Sequence, residues 1–447
     1  MRVTVAMAML LAGGMTVAGP AAGGAQQARP VSRPTAVSPR SYPALAALAQ
    51  RYVAEKRTDG IVAAIGEGDV APTFIAAGTI AADPGAASAD ADSLWRIYSM
   101  TKPITAMAAM MLIEDGTMRL DQPVSDFIPA FKSITVLVDP ATSLAARPAT
   151  TPITIRHLLT HTAGLGYSII TKGPLLKEYE RLGVVPFAAN VQAEAAIKAA
   201  RPTSLEEFAN RVASLPLIAE PGTKWSYSIG LDVMGRVIEV ASGLSFEQFL
   251  QRRLYAPLRM TSTYWTVPQS QVGRFATNYF WAGDNRLPLD PAKTSVFLTP
   301  PSFPYGGAGL VSSARDYDRF LHMLANEGVL DGVRVMKPAT VRLAMSNLLP
   351  AGVTYGGIGG TGGDMGPTGY GAGGSVYTRD VPGGARKGTY GWGGAAGTIA
   401  WVDPSRKLRV TVMVNYMPSE KWPLRADVVR ALTQDEVRRA LATRAGQ

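Results

Sequence analysis

Ser99-Met100-Thr101-Lys102 sets a hydroxyl and a primary amine three positions apart, where a long apolar run begins. On a helix, positions i and i+3 share a face, so the spacing brings the Lys102 amine within reach of Ser99 Oγ. A lysine removed from water, or set beside another cation, gives up its proton more readily and can then accept one from serine. First-turn backbone N–H groups have no intrahelical acceptor and carry partial positive charge, which favours an alkoxide and then an oxyanion. Nucleophile, base and anion-stabilising donors therefore arise within four residues, and no histidine is required. Taken alone, S-x-x-K recurs by chance in chains of this length. Its ordinary meaning is a capping serine beside a solvated lysine.

The elements that must hold these residues follow from the pattern of apolar positions. Residues 104–113 are almost wholly apolar, which predicts a helix buried on all sides. Pro103 fits only in its first turn, and Glu114-Asp115-Gly116 supplies a stop with Gly116 as C′. Upstream, 42–56 reads as a helix, and 61–65 and 74–77 as two short strands around a turn. A helical section extends from Ser99 to about residue 258, irregular across 127–152. Thr154 caps a short helix that Gly164-Leu165-Gly166 ends, and the helical pattern resumes at 231–242 and 246–254. Residues 309–313 read as a strand, and 315–327 and 337–347 as helices. A glycine-dense stretch at 352–397 has the character of loops around an active site. A hairpin of 398–402 and 408–414 turns at Asp403-Pro404, and a last helix covers about 423–442.

Composition narrows the setting. The 447 residues contain no cysteine, which excludes disulfides, a thiol nucleophile and Cys-based metal sites. Residues 1–25 combine Arg2, an apolar run and a small-residue end at Gly23-Gly24-Ala25, which predicts a cleaved signal peptide followed by a flexible segment at 26–41. No later apolar run approaches the ~18–20 residues of a membrane span. The mature chain is expected to be periplasmic or secreted, without a stable membrane anchor. The net charge of +10, one less once Arg2 leaves, is dispersed apart from Arg29, Arg33 and Arg40 and the late Arg438, Arg439 and Arg444. Such a surface is expected to be solvated, and no nucleic-acid motif accompanies it. No cofactor is expected, because neither a P-loop nor a dinucleotide fingerprint occurs. His157 and His161 lie at i and i+4, but no glutamate holds the zincin position, so the pair is read as structural and no metal is assigned. The absence of G-x-S-x-G argues against a Ser-His-Asp elbow, and Asp316 is read as a local cap or pairing residue.

Five blocks lie in order along the chain: Ser93-Leu-Trp-Arg-Ile-Tyr-Ser99-Met-Thr-Lys102, Thr154-Ile-Arg-His157-Leu-Leu-Thr-His161-Thr-Ala-Gly-Leu165, Pro221-Gly-Thr-Lys-Trp-Ser-Tyr227-Ser228, Gly306-Gly-Ala-Gly-Leu-Val-Ser-Ser-Ala-Arg-Asp316, and Tyr390-Gly-Trp392-Gly393-Gly394-Ala395. Together they resemble the class C β-lactamase-like serine hydrolases, over nearly all of the mature chain. The branch most similar is the family VIII carboxylesterases, which carry W-x-G where β-lactamases carry K-T-G. Trp392 offers area and an N–H donor in place of a cation for a drug carboxylate. Tyr227-Ser228-Ile229 departs from the Y-x-N motif and lacks its amide.

The resemblance implies an α/β chain of the α+β type, an antiparallel sheet flanked by helices with an inserted mainly helical domain. Its implied bounds are 42–103 and 306–447 for the two α/β parts and 104–305 for the insertion, with Trp392 to Ala395 arriving from the sheet edge. It implies an acyl-enzyme on Ser99, with Lys102 and Tyr227 sharing the proton work and the backbone N–H groups of Ser99 and Ala395 as oxyanion hole. Trp392, Gly393, Gly394, Ile229 and Tyr167 are the implied substrate-binding residues. Residues 166–204 form the expected wall of the pocket, with Tyr179 and Phe187 along it. A small-molecule ester is the expected substrate. A β-lactamase or D-amino-acid peptidase of the same fold is one alternative, and a non-catalytic envelope binding protein is another. Intact Ser99, Lys102 and Tyr227 argue against the last, since a binder has no need of all three.

Overall fold

A computed structural model describes residues 40–358 and 366–445. The expected signal peptide at 1–25 and residues 26–39 of the flexible segment lie outside the described residues. Helix α1 (Pro43–Ala54) leads into strand β1 (Gly60–Glu67), whose apolar run Gly60-Ile-Val-Ala-Ala-Ile-Gly66 is buried on both faces. Side chains alternate across a strand, and here both directions meet helices. Val62 and Ala64 join the larger core, while Ile61, Ala63 and Ile65 join a second core with Leu45, Leu48 and Tyr52 of α1.

The sheet adds β2 (Thr73–Gly78), β3 (Thr368–Tyr370), β4 (Ser375–Tyr377), β5 (Tyr390–Gly393), β6 (Ile399–Asp403) and β7 (Leu408–Met413). Its order is β3-β4-β5-β6-β7-β1-β2, and every pairing is antiparallel. The α+β class expected from the sequence is the observed one. One expectation is corrected: Trp392 does not arrive from a sheet edge. Its strand β5 is third in the order, because the glycine-dense stretch supplies β3 and β4 outside it. Those strands are three residues long, too short for a two-residue period to register.

Helix α2 (Thr101–Glu114) is buried from Thr101 to Leu112, as its unbroken apolar sequence requires. Each Ile or Leu so buried contributes about 1.5–3 kcal/mol. It packs against α4 (Gly230–Ser242) and β5, and so lies between the helical section and the sheet. Between them in sequence, α3 (Ile155–Leu159) starts at the expected cap, Thr154, whose Oγ1 accepts the His157 N–H. The stretch 166–204, read as a pocket wall, contains two helices, Gly173–Arg181 and Val191–Ile197. Later, α5 (Ala314–Ala325) covers the sheet face opposite α1, and α6 (Leu424–Ala445) lies beside α1.

Candidate active site

The approach to Ser99 is braced before the serine is reached. Leu94–Arg96 pairs antiparallel with Val311–Ser313. Arg96 has no exposed surface; its Nε donates to Asp290 Oδ2 at 2.7 Å, its Nη2 to Ser295 Oγ at 3.0 Å, and its guanidinium lies 4.0 Å from the Phe275 ring centroid. Tyr98 then adopts φ +39°, a conformation that a bulky side chain avoids and that costs about 1–3 kcal/mol. Its buried ring stacks on Phe187 at 5.2 Å, so packing holds the strained turn that presents Ser99. Phe187 thus supports the nucleophile's turn.

Ser99 sits in a 3₁₀ turn, Tyr98–Met100, that runs directly into α2. The sequence places it on the helix itself; the structure places it one residue before the helix cap. Lys102 lies in the first turn of α2, three positions on and on the same face, and its Nζ donates to Ser99 Oγ at 3.2 Å. The amine is fully buried and also donates to the Gly307 carbonyl at 2.8 Å. The rings of Tyr227 and Tyr167 lie 4.6 and 5.3 Å from it. The loop carrying Gly307 is fastened to α2 at both ends, by Thr105 Oγ1 donating to the Gly306 carbonyl at 2.6 Å and the Leu310 N–H donating to Thr101 Oγ1 at 3.2 Å.

Tyr227 completes the cluster, its hydroxyl donating to Ser99 Oγ at 2.7 Å, while Trp392 Nε1 donates to the Tyr227 hydroxyl at 3.4 Å. Ser99 is half-buried, and Lys102, Tyr227 and Trp392 are buried around it. At the end of β5, a Cβ on Gly394 would fall on the Ile97 carbonyl oxygen, so only glycine lets this strand press against the segment leading to Ser99. The next residue, Ala395, has a backbone N–H that no acceptor among the described residues takes. A serine hydroxyl in contact with a buried amine and a phenol, beside an unpaired N–H, has the parts required for acyl transfer.

Two of the residues implied as substrate-binding, Ile229 and Tyr167, lie below the surface. Ile229 has no exposed surface and begins α4 with its N–H on the Gly166 carbonyl at 3.1 Å. An apolar side chain at a helix start cannot cap, so it turns into the core while Ser228 Oγ accepts the Gly230 N–H. Tyr167 is also buried, its ring facing the Lys102 amine, and Tyr179 is buried with its hydroxyl accepting the Gly166 N–H. Gly393 is half-buried beside the Thr398 carbonyl.

The two paired histidines have separate structural roles. His157 Nδ1 accepts the Thr154 N–H at 3.2 Å. His161 Nδ1 accepts the Ser228 N–H at 3.2 Å, and its ring meets that of Tyr227 edge-on at 4.8 Å. Burial, with the Lys102 charge nearby, pushes His161 well below the usual histidine range, so it stays neutral. No group of three metal-ligating side chains occurs among the described residues. Asp316 accepts from Ser262 N–H and Thr263 Oγ1, which ties α5 to the loop before it.

Sequence reasoning missed Asp232. It lies in the first turn of α4 with no exposed surface, and its Oδ1 accepts the Gly307 N–H at 2.8 Å. A lone acidic residue five positions after Tyr227 was the available signal.

The sequence profile described as Beta-lactamase matches residues 45–434. The chain belongs to the beta-lactamase family. Among its relatives, Protein Rv1367c of Mycobacterium tuberculosis is 35% identical over 333 residues, covering 73% of this chain and 78% of that protein. Esterase EstB of Burkholderia gladioli is 31% identical over 345 residues, covering 72% and 78%. Among solved structures, a LovD9 mutant of simvastatin synthase from Aspergillus terreus superposes with TM-score 0.71 at 25% identity, over 90% of this chain and 100% of that one. This member of the beta-lactamase family is a serine hydrolase with esterase relatives.

Proposed function

We propose that the protein cleaves carboxylic esters through an acyl-enzyme on Ser99, as a family VIII type carboxylesterase. The observation that carries this reading is the convergence of Lys102 Nζ and Tyr227 Oη on Ser99 Oγ, at 3.2 and 2.7 Å. Ser99 Oγ attacks the ester carbonyl carbon, and its proton passes to the Lys102 and Tyr227 pair. The carbonyl oxygen takes the negative charge against the backbone N–H groups of Ser99 and Ala395. The bond to the alcohol oxygen breaks, and Tyr227 returns the proton to that leaving group. Water then attacks the acyl carbon, gives a proton to the same pair, and releases the acid with Ser99 Oγ reprotonated. Trp392, standing where a lysine would recognise the carboxylate of a β-lactam, supports an ester over an antibiotic substrate.

The test compares p-nitrophenyl butyrate with nitrocefin on the purified mature protein. Butyrate hydrolysis that is lost in Ser99→Ala, with little nitrocefin turnover, is the expected result. Dominant nitrocefin turnover overturns the ester reading, and no Ser99-dependent turnover of either points to a peptidase or a binding protein. We also propose that residues 1–25 are a signal peptide and that the mature protein is periplasmic or secreted; the apolar run after Arg2 supports this. N-terminal sequencing of the exported protein is expected to begin just after Ala25.

A further inference from the structure

Asp232 is an acidic side chain enclosed by the machinery around Ser99, yet the ester mechanism gives it no step. It has no exposed surface, and its Oδ2 has no hydrogen-bond partner among the described residues. An ionised carboxylate in such a place is costly unless a charge compensates it. The charge available to compensate it is the protonated form of Lys102. Gly307 stands between the two: its N–H donates to Asp232 Oδ1 and its carbonyl accepts from Lys102 Nζ, each at 2.8 Å. A Cβ on Gly307 would lie 2.5 Å from Asp232 Oδ2, so the close approach depends on glycine.

We propose that Asp232 is a positioning residue for the Ser99 proton transfer, fixing the Gly307 carbonyl that anchors Lys102 Nζ and stabilising, by its negative charge, the ammonium formed when that amine takes the serine proton. The catalytic consequence rests on the ester reading above; the coupling between carboxylate and amine does not. The proton moves only from Ser99 Oγ to the amine, and Asp232 neither gains nor loses one in the step. Burial pushes the Asp232 carboxyl up to about 7, with the Lys102 charge as the largest opposing influence. Coupling of this kind is reciprocal: the attraction that lowers the carboxyl's proton affinity also steadies the ammonium. Tyr167, Tyr227, His161 and Tyr305 are the other titratable groups facing this pair. His161 is held neutral, and burial raises Tyr167 and Tyr305 above the ordinary tyrosine range. None of these three changes charge near neutrality.

Two measurements test the proposal. In the first, kcat and KM for p-nitrophenyl butyrate are followed against pH. Asp232→Asn keeps the acceptor for Gly307 and the side-chain volume, and is expected to lower kcat about 10-fold or more with KM nearly unchanged. It should also remove an inflection near pH 7 from the wild-type profile. Asp232→Ala, which loses the acceptor as well, should lose more. In the second, carboxyl-¹³C aspartate labelling reads the Asp232 titration directly, assigned by its absence in Asp232→Asn. Its midpoint near 7 should rise in Lys102→Met and remain near the wild-type value in Lys102→Arg. Wild-type kinetics and pH profile in a folded Asp232→Asn would overturn the proposal, as would a carboxyl midpoint indifferent to Lys102→Met. If the wild type shows no Ser99-dependent turnover, the ester reading fails while the carbon titration still decides the coupling.

Discussion

Ser99 Oγ draws its partners from different ranges of the chain, and that difference governs what each contributes. Lys102 is local, and the i, i+3 spacing at the start of α2 brings it to 3.2 Å. Tyr227 comes from 128 residues away and makes the shorter contact, 2.7 Å. Among the described residues its hydroxyl bonds only Ser99 and the Trp392 N–H, so Tyr227→Phe removes one oxygen from the site and leaves the ring packing in place. The expected outcome is a fall in kcat of about 10²–10⁴-fold, with KM and the unfolding midpoint close to wild type. Steady-state kinetics beside a urea melt check it. Ser99 and Lys102 were legible in the sequence because their spacing alone implies contact. Tyr227 and Trp392 were legible only through the resemblance. Asp232 was not legible, because its meaning depends on Gly307, 75 residues distant, and on a bond from Lys102 to that glycine across 205 residues. For Ile229 the place in a motif was legible while its burial was not.

At the scale of elements, the short helix α3 depends on a histidine acting as a hydrogen-bond acceptor. His157 Nδ1 takes the Thr154 N–H, which only the neutral ring can do. Burial pushes His157 down to about 4, against an ordinary value of 6.5. The folded state therefore binds fewer protons here than the unfolded chain. This contribution to stability is intact above pH 6.5, falls as the pH drops towards 4, and levels off below that. His157→Gln places an untitratable acceptor at the third helical position, where Gln suits a capping box. It is expected to keep stability at pH 7.5 within about 1 kcal/mol and to flatten the decline between pH 6.5 and 4. Urea melts at pH 4.5 and 7.5 distinguish this from an unchanged slope. The Thr154 cap was readable because capping chemistry is local. Strands β3 and β4 were not, since three residues are too few to show a period, and their omission put Trp392 at an edge that it does not occupy.

Over the whole molecule, the sheet is buried on both faces, and its outer cover joins the two ends of the described chain. Helix α1 has no side-chain cap of its own at Tyr42. Asp435 of α6 takes that role from across the fold, accepting the Ala44 and Leu45 N–H groups at 2.8 and 3.1 Å. Tyr52 of α1 donates to Asp427 of α6 at 2.7 Å. Asp435→Ala strands both first-turn donors in a buried setting and is expected to cost about 2 kcal/mol or more, read as a lower urea midpoint with kcat unchanged. The approximate extent of each helix is readable from its apolar pattern, but a clasp between residues almost 400 positions apart leaves no local trace.

The pairing of β1 with β7, Val62 opposite Met413 among its registers, has a consequence in time. A ribosome adding about 5–20 residues per second needs about 20–70 s to pass from one strand to the other. Throughout that interval the apolar strand β1 lacks the partner that β7 supplies. Ser99, Lys102 and Tyr227 are all synthesised long before Ala395, so on the proposed ester mechanism the nascent chain carries its nucleophile and proton carriers without the distal oxyanion donor. Catalytic competence therefore arrives late in synthesis, and until then an unpaired hydrophobic edge must be kept from aggregating.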